Sequence, residues 1–446
     1  MTQYLSPGVY VEEVKSSIQP IAGVGTSTAG FIGAVDDDKR MPAIPGRFVT
    51  DENGVQLNAE GEPRAEGEPA VPERYELAPA GEPRLVTSWE SFKTQFGDFH
   101  DPEAEPAPIL EHRILAHAVY GFFNNGGTRC WVTRVAPLPS EPEGPQISVP
   151  VTEVPPPPTV PPAPEVLGTT EVTRALEEFE AIDEIAVVAV PGAVSAALQD
   201  AIVSHCERMG DRFAVLDGKR SPAALTAAGI KGMQGTSNYA ALYFPWISVF
   251  DPATKANLLV PPSGHIAGIY ARVDSERGVH KAPANERVRG ALGLESRLGR
   301  ADQDGLNPAG INVIRELNGT ITVWGARTLG GDLNGEWKYI NVRRLFLYLR
   351  ESIDEGTQWV VFEPNTPALW SKITRNVTAF LTNVWRGGAL FGSTPAEAFY
   401  VRCDASTNPQ EVRDLGQVVT EVGVAVAKPA EFVIFRISQW GGPGAA

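Results

Sequence analysis

Five groups of residues have types and spacings that could do chemistry. Gly23, Gly25 and Gly30 sit among Ser and Thr in GVGTSTAGFIGA, and a glycine-rich loop ahead of a helix can cradle phosphate through its backbone amides. Here no Gly-Lys-Ser/Thr follows, the spacing misses G-x-G-x-x-G, and no helical pattern opens behind the glycines. They read instead as a glycine-eased entry into a strand. His112 and His117 could ligate a metal, but at five residues apart they do not share the i, i+4 face of a helical pair, which favours packing or surface histidines. His205-Cys206-Glu207 places a thiol beside a base late in a helical run, next to Met209, where a free cysteine is commonly just buried. Ser263 and His265 in VPPSGH lack a third triad member, and Ser263 reads as a helix N-cap. The fifth group is cationic. Lys372, Arg375 and Arg386 fall within about 60° of one another on a helix, opposite the apolar stripe Trp370, Ile373, Val377, Phe380 and Val384, and no acid occurs between Glu363 and Glu397. Such a face is either solvated or meant for an acidic partner.

Several elements must position these groups. EIAVVAV (184–190), RFAVLD (212–217) and YAALYFPW (239–246) read as strands, with helices at 193–209 and 222–234. Strand–helix repetition at this spacing implies a mainly parallel sheet with right-handed crossovers. A parallel sheet often binds nucleotides at its strand ends, so an α/β nucleotide- or small-ligand-binding enzyme centred on 184–246 is the alternative to weigh. Against it, the first strand ends in only Pro191-Gly192-Ala193, with no phosphate loop, metal cluster or nucleophile–base pair. Upstream, a capping-box pattern at Thr87-Ser88-Trp89-Glu90 opens a helix with Trp89, Phe92 and Phe96 on one face. A second helix, about 109–123, stops at Asn124-Asn125-Gly126-Gly127, and RCWVTRV (129–135) reads as a strand. Downstream, strands are expected at 320–326, 359–362, 398–403, 417–427 and 431–439, and helices at 337–353 and 366–385.

Two stretches break this order. Residues 36–84 turn to Glu, Pro, Gly and Ala, with too little apolar surface for a core of their own. Residues 137–166 include Pro155-Pro156-Pro157-Pro158, an extended polyproline-like spacer. Both read as solvated excursions.

The chain has 446 residues, 43% of them hydrophobic and 21% charged, enough for two or three domains. Its formal charge of −16 is unevenly spread. From Ile311 to Trp440 about 13 acids meet about 13 Lys plus Arg, so the excess acid lies in the first 310 residues. A neutral, aromatic-rich C-terminal third suits burial in an assembly. The overall acidity disfavours nucleic acid as a partner. Cys130, Cys206 and Cys403 lie far apart with no C-x-x-C, which fits neither a disulfide framework nor zinc and suits cytoplasmic folding. No signal peptide opens the chain, which disfavours a secreted adhesin, and no run of about 18 apolar residues suggests membrane insertion. No cofactor or metal is expected.

Both chain ends carry strand patterns. GVYVEEV supplies Val9, Tyr10 and Val11 after Ser6-Pro7-Gly8, and EFVIFRISQ supplies Phe432, Val433, Ile434 and Phe435 after Lys428-Pro429. The N-terminal strand has no hairpin partner nearby, and a bare strand needs a neighbour's sheet. KSSIQPI (15–21) would then serve as a hinge.

GINVIR, WGARTL, KYINVRRLFLYLRESI, FEPN and FVIFRISQ, with SPGVYVEEV, STAGFIGA, YGFFNNGG, VPPSGHIAGIYARVD and KAPANE upstream, resemble the contractile tail sheath proteins of bacteriophage tails, R-type pyocins and extracellular contractile injection systems. The resemblance covers most of the chain. It implies a multidomain α/β and α+β protomer, not an enzyme. The expected parts are an N-terminal arm at 1–22, an outer and middle domain at 23–306 with its α/β region at 184–275, and an inner C-terminal domain at 307–446 ending in the 431–439 strand. It also implies a homopolymer of six-fold rings whose terminal strands pair with neighbouring subunits. Its other partners would be an inner tube protein, a baseplate, and cap or terminator proteins. Such a sheath assembles in the cytoplasm, then serves in a virion tail or a released particle, and stores its energy in subunit packing rather than in nucleotide. Lys372, Arg375 and Arg386 become candidates to face the tube.

Overall fold

The computed structural model describes residues 20–66, 68–99, 110–138, 167–233 and 235–436. The N-terminal strand at Val9–Val11 and the proline run at 155–158 lie outside the described residues. Two compact units form: residues 20–24 with Leu349–Ala427, and Gly25–Tyr348 with residues 428–436. The boundary at 348 falls inside one helix, Ile340–Thr357. No helix among the described residues is long and apolar enough to cross a membrane.

The larger unit is built on strands that are apolar on both faces. Ala29–Ala34 is buried at every position; Ala29 and Phe31 enter one core, Ile32 and Ala34 the other. Strands of this kind need cover on both sides, which a parallel sheet with crossover helices supplies. The nine strands run in the order Glu286–Arg287, Thr320–Val323, Ile311–Leu317, Ala240–Phe244, Phe213–Asp217, Val187–Ala189, Ala29–Ala34, Cys130–Val135, Arg84–Val86. The six from Ile311–Leu317 to Cys130–Val135 pair in parallel, and the outer three are antiparallel. Ile311–Leu317, from beyond the 307 boundary expected from sequence, is therefore an integral strand of this sheet.

Helices Leu110–Asn125 and Ser263–Arg277 pack against each other over one face. They approach closely because two glycines leave room. A Cβ on Gly264 would sit 2.4 Å from Ala118 Cα, and one on Gly268 would sit 2.4 Å from the Phe122 carbonyl. Helices Thr169–Glu178 and Ala196–Met209 lie against the other core.

Three expectations need correction. The helix expected at 222–234 shrinks to Ala227–Ile230, since Thr226 and the glycines at 229 and 232 hold too little helix propensity for a longer one. Residues 359–362 form no strand: a 3-10 turn occupies Gln358–Val360, and Phe362 turns to a positive φ of 66°. Ser263 does not cap its helix; Pro262 holds that position, and the Ser263 hydroxyl donates to Asp217 at 2.7 Å. The 36–84 excursion contains a two-stranded ribbon, Ala43–Phe48 with Pro72–Arg74, most of it exposed.

One polar knot holds distant segments of this unit. Arg344 donates to both oxygens of Asp274 at 2.9 and 2.6 Å and to the Thr26 carbonyl at 2.9 Å. The Thr26 hydroxyl adds a bond to Asp274 at 2.6 Å. Arg344 and Asp274 are only 3% and 4% exposed. The Tyr270 ring lies 4.6 Å under the guanidinium, and Tyr270 shares a 2.8 Å hydrogen bond with Tyr243. A buried ion pair is not by itself stabilising, but removing one partner leaves an uncompensated charge. Arg344→Leu is expected to cost about 3–5 kcal/mol in urea denaturation, while Arg344→Met with Asp274→Leu recovers most of that. Equal losses for the single and double variants would contradict this.

Candidate assembly interface

The C-terminal segment leaves the larger unit from a fixed point. Glu431 Oε1 accepts from Arg327 Nε at 2.8 Å and Asn307 Nδ2 at 2.7 Å. Its Oε2 accepts from Arg327 Nη2 at 2.9 Å and the Tyr339 hydroxyl at 2.8 Å. These four bonds saturate the carboxylate. Burial alone would raise the Glu431 pKa, but the Arg327, Asn307 and Tyr339 donors outweigh it and hold it below the ordinary value. Arg327 is itself set in place: Nη1 donates to the Asn307 carbonyl and to Asp332, and its backbone is bracketed by Asn312 at 2.7 and 2.8 Å.

One residue beyond this clamp the chain is bare. Phe432, Val433, Ile434 and Phe435 are 70%, 68%, 79% and 83% exposed. Among the described residues, none from Lys428 to Arg436 makes a backbone–backbone hydrogen bond. Over the described residues 431–436 the expected strand is therefore absent, because a strand exists only with a partner.

The smaller unit carries two other features of this kind. Phe399–Arg402 and Glu421–Val424 form a two-stranded antiparallel sheet. No third strand joins it among the described residues, and Tyr400 and Val422 are 59% and 37% exposed. The helix Pro367–Arg386 forms where sequence expects it, with Thr366 capping the Leu369 amide and Pro367 in the first turn. It buries Leu369, Trp370, Ile373, Asn376, Val377, Phe380 and Leu381. Lys372, Arg375 and Arg386 all lie on its exposed side, and none makes a salt bridge among the described residues.

Of the groups that could have done chemistry, His112, His117, His205, Cys206, Ser263 and His265 are buried in packing positions. Burial pushes the Cys206 and Cys130 thiols far above their usual range, away from the nucleophilic thiolate. Ser263 donates to Asp217 while His265 Nδ1 has no partner, so the two make no relay. His112 hydrogen bonds the Phe96 carbonyl at 3.0 Å and His117 meets Asp251 at 3.3 Å; both are packing histidines. Sequence reasoning missed the clamp. Its partners are 92 to 124 residues from Glu431, and nothing local to EFVIF announces a buried carboxylate.

The profile of the phage tail sheath protein central domain matches residues 165–329, and that of the phage tail sheath C-terminal domain matches 332–439. The chain belongs to the tail sheath family. It is 26% identical over 254 residues to a putative prophage major tail sheath protein of Pseudomonas aeruginosa, 54% of this chain and 63% of that one. The alignments span 30% to 63% of the lengths of the curated relatives it matches. Two solved structures match end to end. A chain of the anti-feeding prophage helical sheath in contracted state is 26% identical with a TM-score of 0.66, covering 98% of this chain and 99% of that one. A chain of the PVC sheath complex of an extracellular contractile injection system, also contracted, is 25% identical with a TM-score of 0.68, covering 99% of each. The family is structural, and the enzyme alternative at 184–246 finds no support.

The buried histidines give this sheath family member an acid limit. Burial lowers His112 and His265 to about 3 and His205 to about 4, against 6.5 ordinarily. The unfolded chain takes up these protons near pH 6.5 and the folded one does not, so their stabilisation is complete above 6.5 and falls away as pH drops toward the folded values. His112 and His265 each lose about 1.4 kcal/mol per pH unit in that window. Asp217 opposes them: burial raises it to about 6, so its contribution is full below 3.8 and lost as pH rises through 6. The urea midpoint is expected to fall between pH 7 and 4, and Asp217→Asn should steepen the fall. A flat profile would count against these histidines staying neutral.

Proposed function

We propose that the chain is the structural subunit of a contractile sheath, polymerising helically around an inner tube and shortening to drive that tube through a target cell envelope. The observation that carries this reading is the bare apolar run Phe432–Phe435 directly beyond a saturated clamp. Four large apolar side chains with unpaired backbone are an aggregation hazard unless a second copy completes them. Family membership and end-to-end likeness to two contracted sheaths support the same reading. The acceptor is the two-stranded sheet of another subunit's smaller unit, which is too small to be stable without further strands or packing. The N-terminal strand at Val9, Tyr10 and Val11 adds to the same joint, with 15–21 as its hinge. Ring-to-ring links of this kind keep their hydrogen bonds while subunits rotate. The energy released on contraction comes from inter-subunit packing, so no nucleotide is consumed.

The partners are further copies of the chain, an inner tube protein, a baseplate, and cap or terminator proteins. A chain of the anti-feeding prophage baseplate structure is 26% identical to this one with a TM-score of 0.66, which supports baseplate association. The tube contact is assigned to Lys372, Arg375 and Arg386. A purely cationic face on an otherwise neutral block fixes register on an acidic wall by long-range attraction, and it releases when salt or geometry changes. The acidic, proline-rich stretches 36–84 and 137–166 belong on the outer surface, away from the tube.

Removing residues 1–19 is expected to leave a folded, soluble monomer that forms no sheath by negative-stain microscopy, even at tenfold higher concentration. Sheaths of normal length from that truncation would exclude strand exchange at the N-terminus. Lys372→Glu with Arg375→Glu should weaken extended sheath on its tube and spare contracted sheath; equal loss of both would mean the residues only support the fold.

A further inference from the structure

The Glu431 clamp does more than satisfy a carboxylate. We infer that Glu431 and Arg327 form an anchor that fixes where the C-terminal arm leaves its own subunit and couples a neighbour's pull to the nine-stranded sheet. The inference rests on the strand-exchange reading above and adds to it the means by which an arm transmits motion.

Three observations carry it. First, the anchor is rigid where an arm root needs to be. Arg327 is 4% exposed and grips both carboxylate oxygens side-on, a geometry that resists rotation as well as translation. Second, the anchor is wired into framework elements. Asn312, in the strand Ile311–Leu317, holds the Arg327 backbone through both its amide nitrogen and its oxygen, and that strand pairs in parallel with Ala240–Phe244. Tyr339 immediately precedes the helix Ile340–Thr357, and Asn307 immediately precedes Pro308 in the turn that leads into the strand. A force on the arm therefore reaches the sheet and the long helix through side chains, not through the linker alone. Third, the transition is abrupt. Glu431 is only 18% exposed, whereas Phe432, the next residue, is 70% exposed. Nothing between anchor and arm can stretch.

Without the anchor, Lys428 to Glu431 would lengthen the free tether. A longer, undirected arm has a lower effective concentration at the neighbour's sheet and pays more ordering entropy on pairing. Linkage between rings would become slack even where strands still pair.

The test compares full-length wild type, Glu431→Gln, the double variant Arg327→Met with Glu431→Met, and a chain lacking residues 432–446. Sheath formation is followed by sedimentation and negative-stain microscopy against subunit concentration, with circular dichroism as the fold control. The double variant leaves no unpaired buried charge, so it separates loss of the anchor from the cost of a stranded Arg327. Both variants are expected to raise the critical concentration about tenfold or more with unchanged dichroism, and the truncated chain to form no sheath at all. If the truncation abolishes sheath but the folded double variant assembles at the wild-type concentration, the anchor has no role and strand exchange stands alone. If the truncated chain assembles normally, strand exchange by this arm is wrong and the anchor falls with it.

Discussion

The structure depends on arginines whose charge is sealed from water and matched by carboxylates: Asp274 for Arg344, and Glu431 with Asp332 for Arg327. Arg344 on Asp274 is the more buried of the two. Burial works against the Arg344 charge, yet Asp274 more than offsets it, so its pKa is raised. The pair cannot be loosened gradually, because separating the charges would expose both to a medium that does not solvate them. It therefore sets one arrangement of three sequence-distant pieces: the Thr26 turn, the helix Ser263–Arg277 and the helix Ile340–Thr357. Arg327 on Glu431 repeats the device at the other end of the chain. Thr26 lies just inside the point where the N-terminal segment joins the larger unit, and Glu431 lies just inside the C-terminal arm. The C-terminal segment thus departs from an arginine-fixed point, and the two arginines are supplied by one stretch of sequence, WGARTL through KYINVRR.

This arrangement reconciles two demands on a polymerising subunit. The protomer must fold alone, which the doubly covered parallel sheet achieves with its two apolar cores and glycine-fitted helix pair. On the proposed function it must also keep strand-forming segments available for its neighbours. Among the described residues, the exposed run Phe432–Phe435 makes no backbone–backbone hydrogen bond, and the small sheet Phe399–Arg402 with Glu421–Val424 has two strands. Charge follows the same division. Acid is concentrated in the first 310 residues, while the C-terminal third is neutral and presents Lys372, Arg375 and Arg386, without a salt bridge among the described residues, on one helix face.

The central sheet was legible because its strands need burial on both faces and so appear as apolar runs at Val187–Ala189, Phe213–Leu216 and Ala240–Phe244, whereas Ala29–Ala34 was expected only as a strand entered after glycines and Ile311–Leu317 as part of another domain. The helix Pro367–Arg386 was legible to within a residue or so at each end, because Thr366 and Pro367 mark its start and Gly387-Gly388 follow its end. The dispersal of His112, His117 and Cys206 into cores followed from spacing that suits no metal or nucleophile. What stayed hidden is non-local. The Arg344–Asp274 and Arg327–Glu431 pairs join residues 70 and 104 positions apart, and a single Glu or Arg in a strand-like run gives no sign of being buried. The Trp359–Phe362 misreading has a local cause. WVVF has strand propensity, but the turn at Gln358 and the positive φ at Phe362 leave no room for a ladder. The apolar run Phe432–Phe435 was expected as a strand; over the described residues 431–436 it forms none.

The claim that subunits join by lending strands is tested most directly by a cryo-EM reconstruction of the sheath assembled from this chain. The account predicts that Phe432–Phe435 of one subunit runs as a strand hydrogen bonded to the Phe399–Arg402 and Glu421–Val424 sheet of another, with Glu431 still on its own Arg327. Density showing that segment folded back on its own subunit, with the two-stranded sheet left uncompleted, would contradict it.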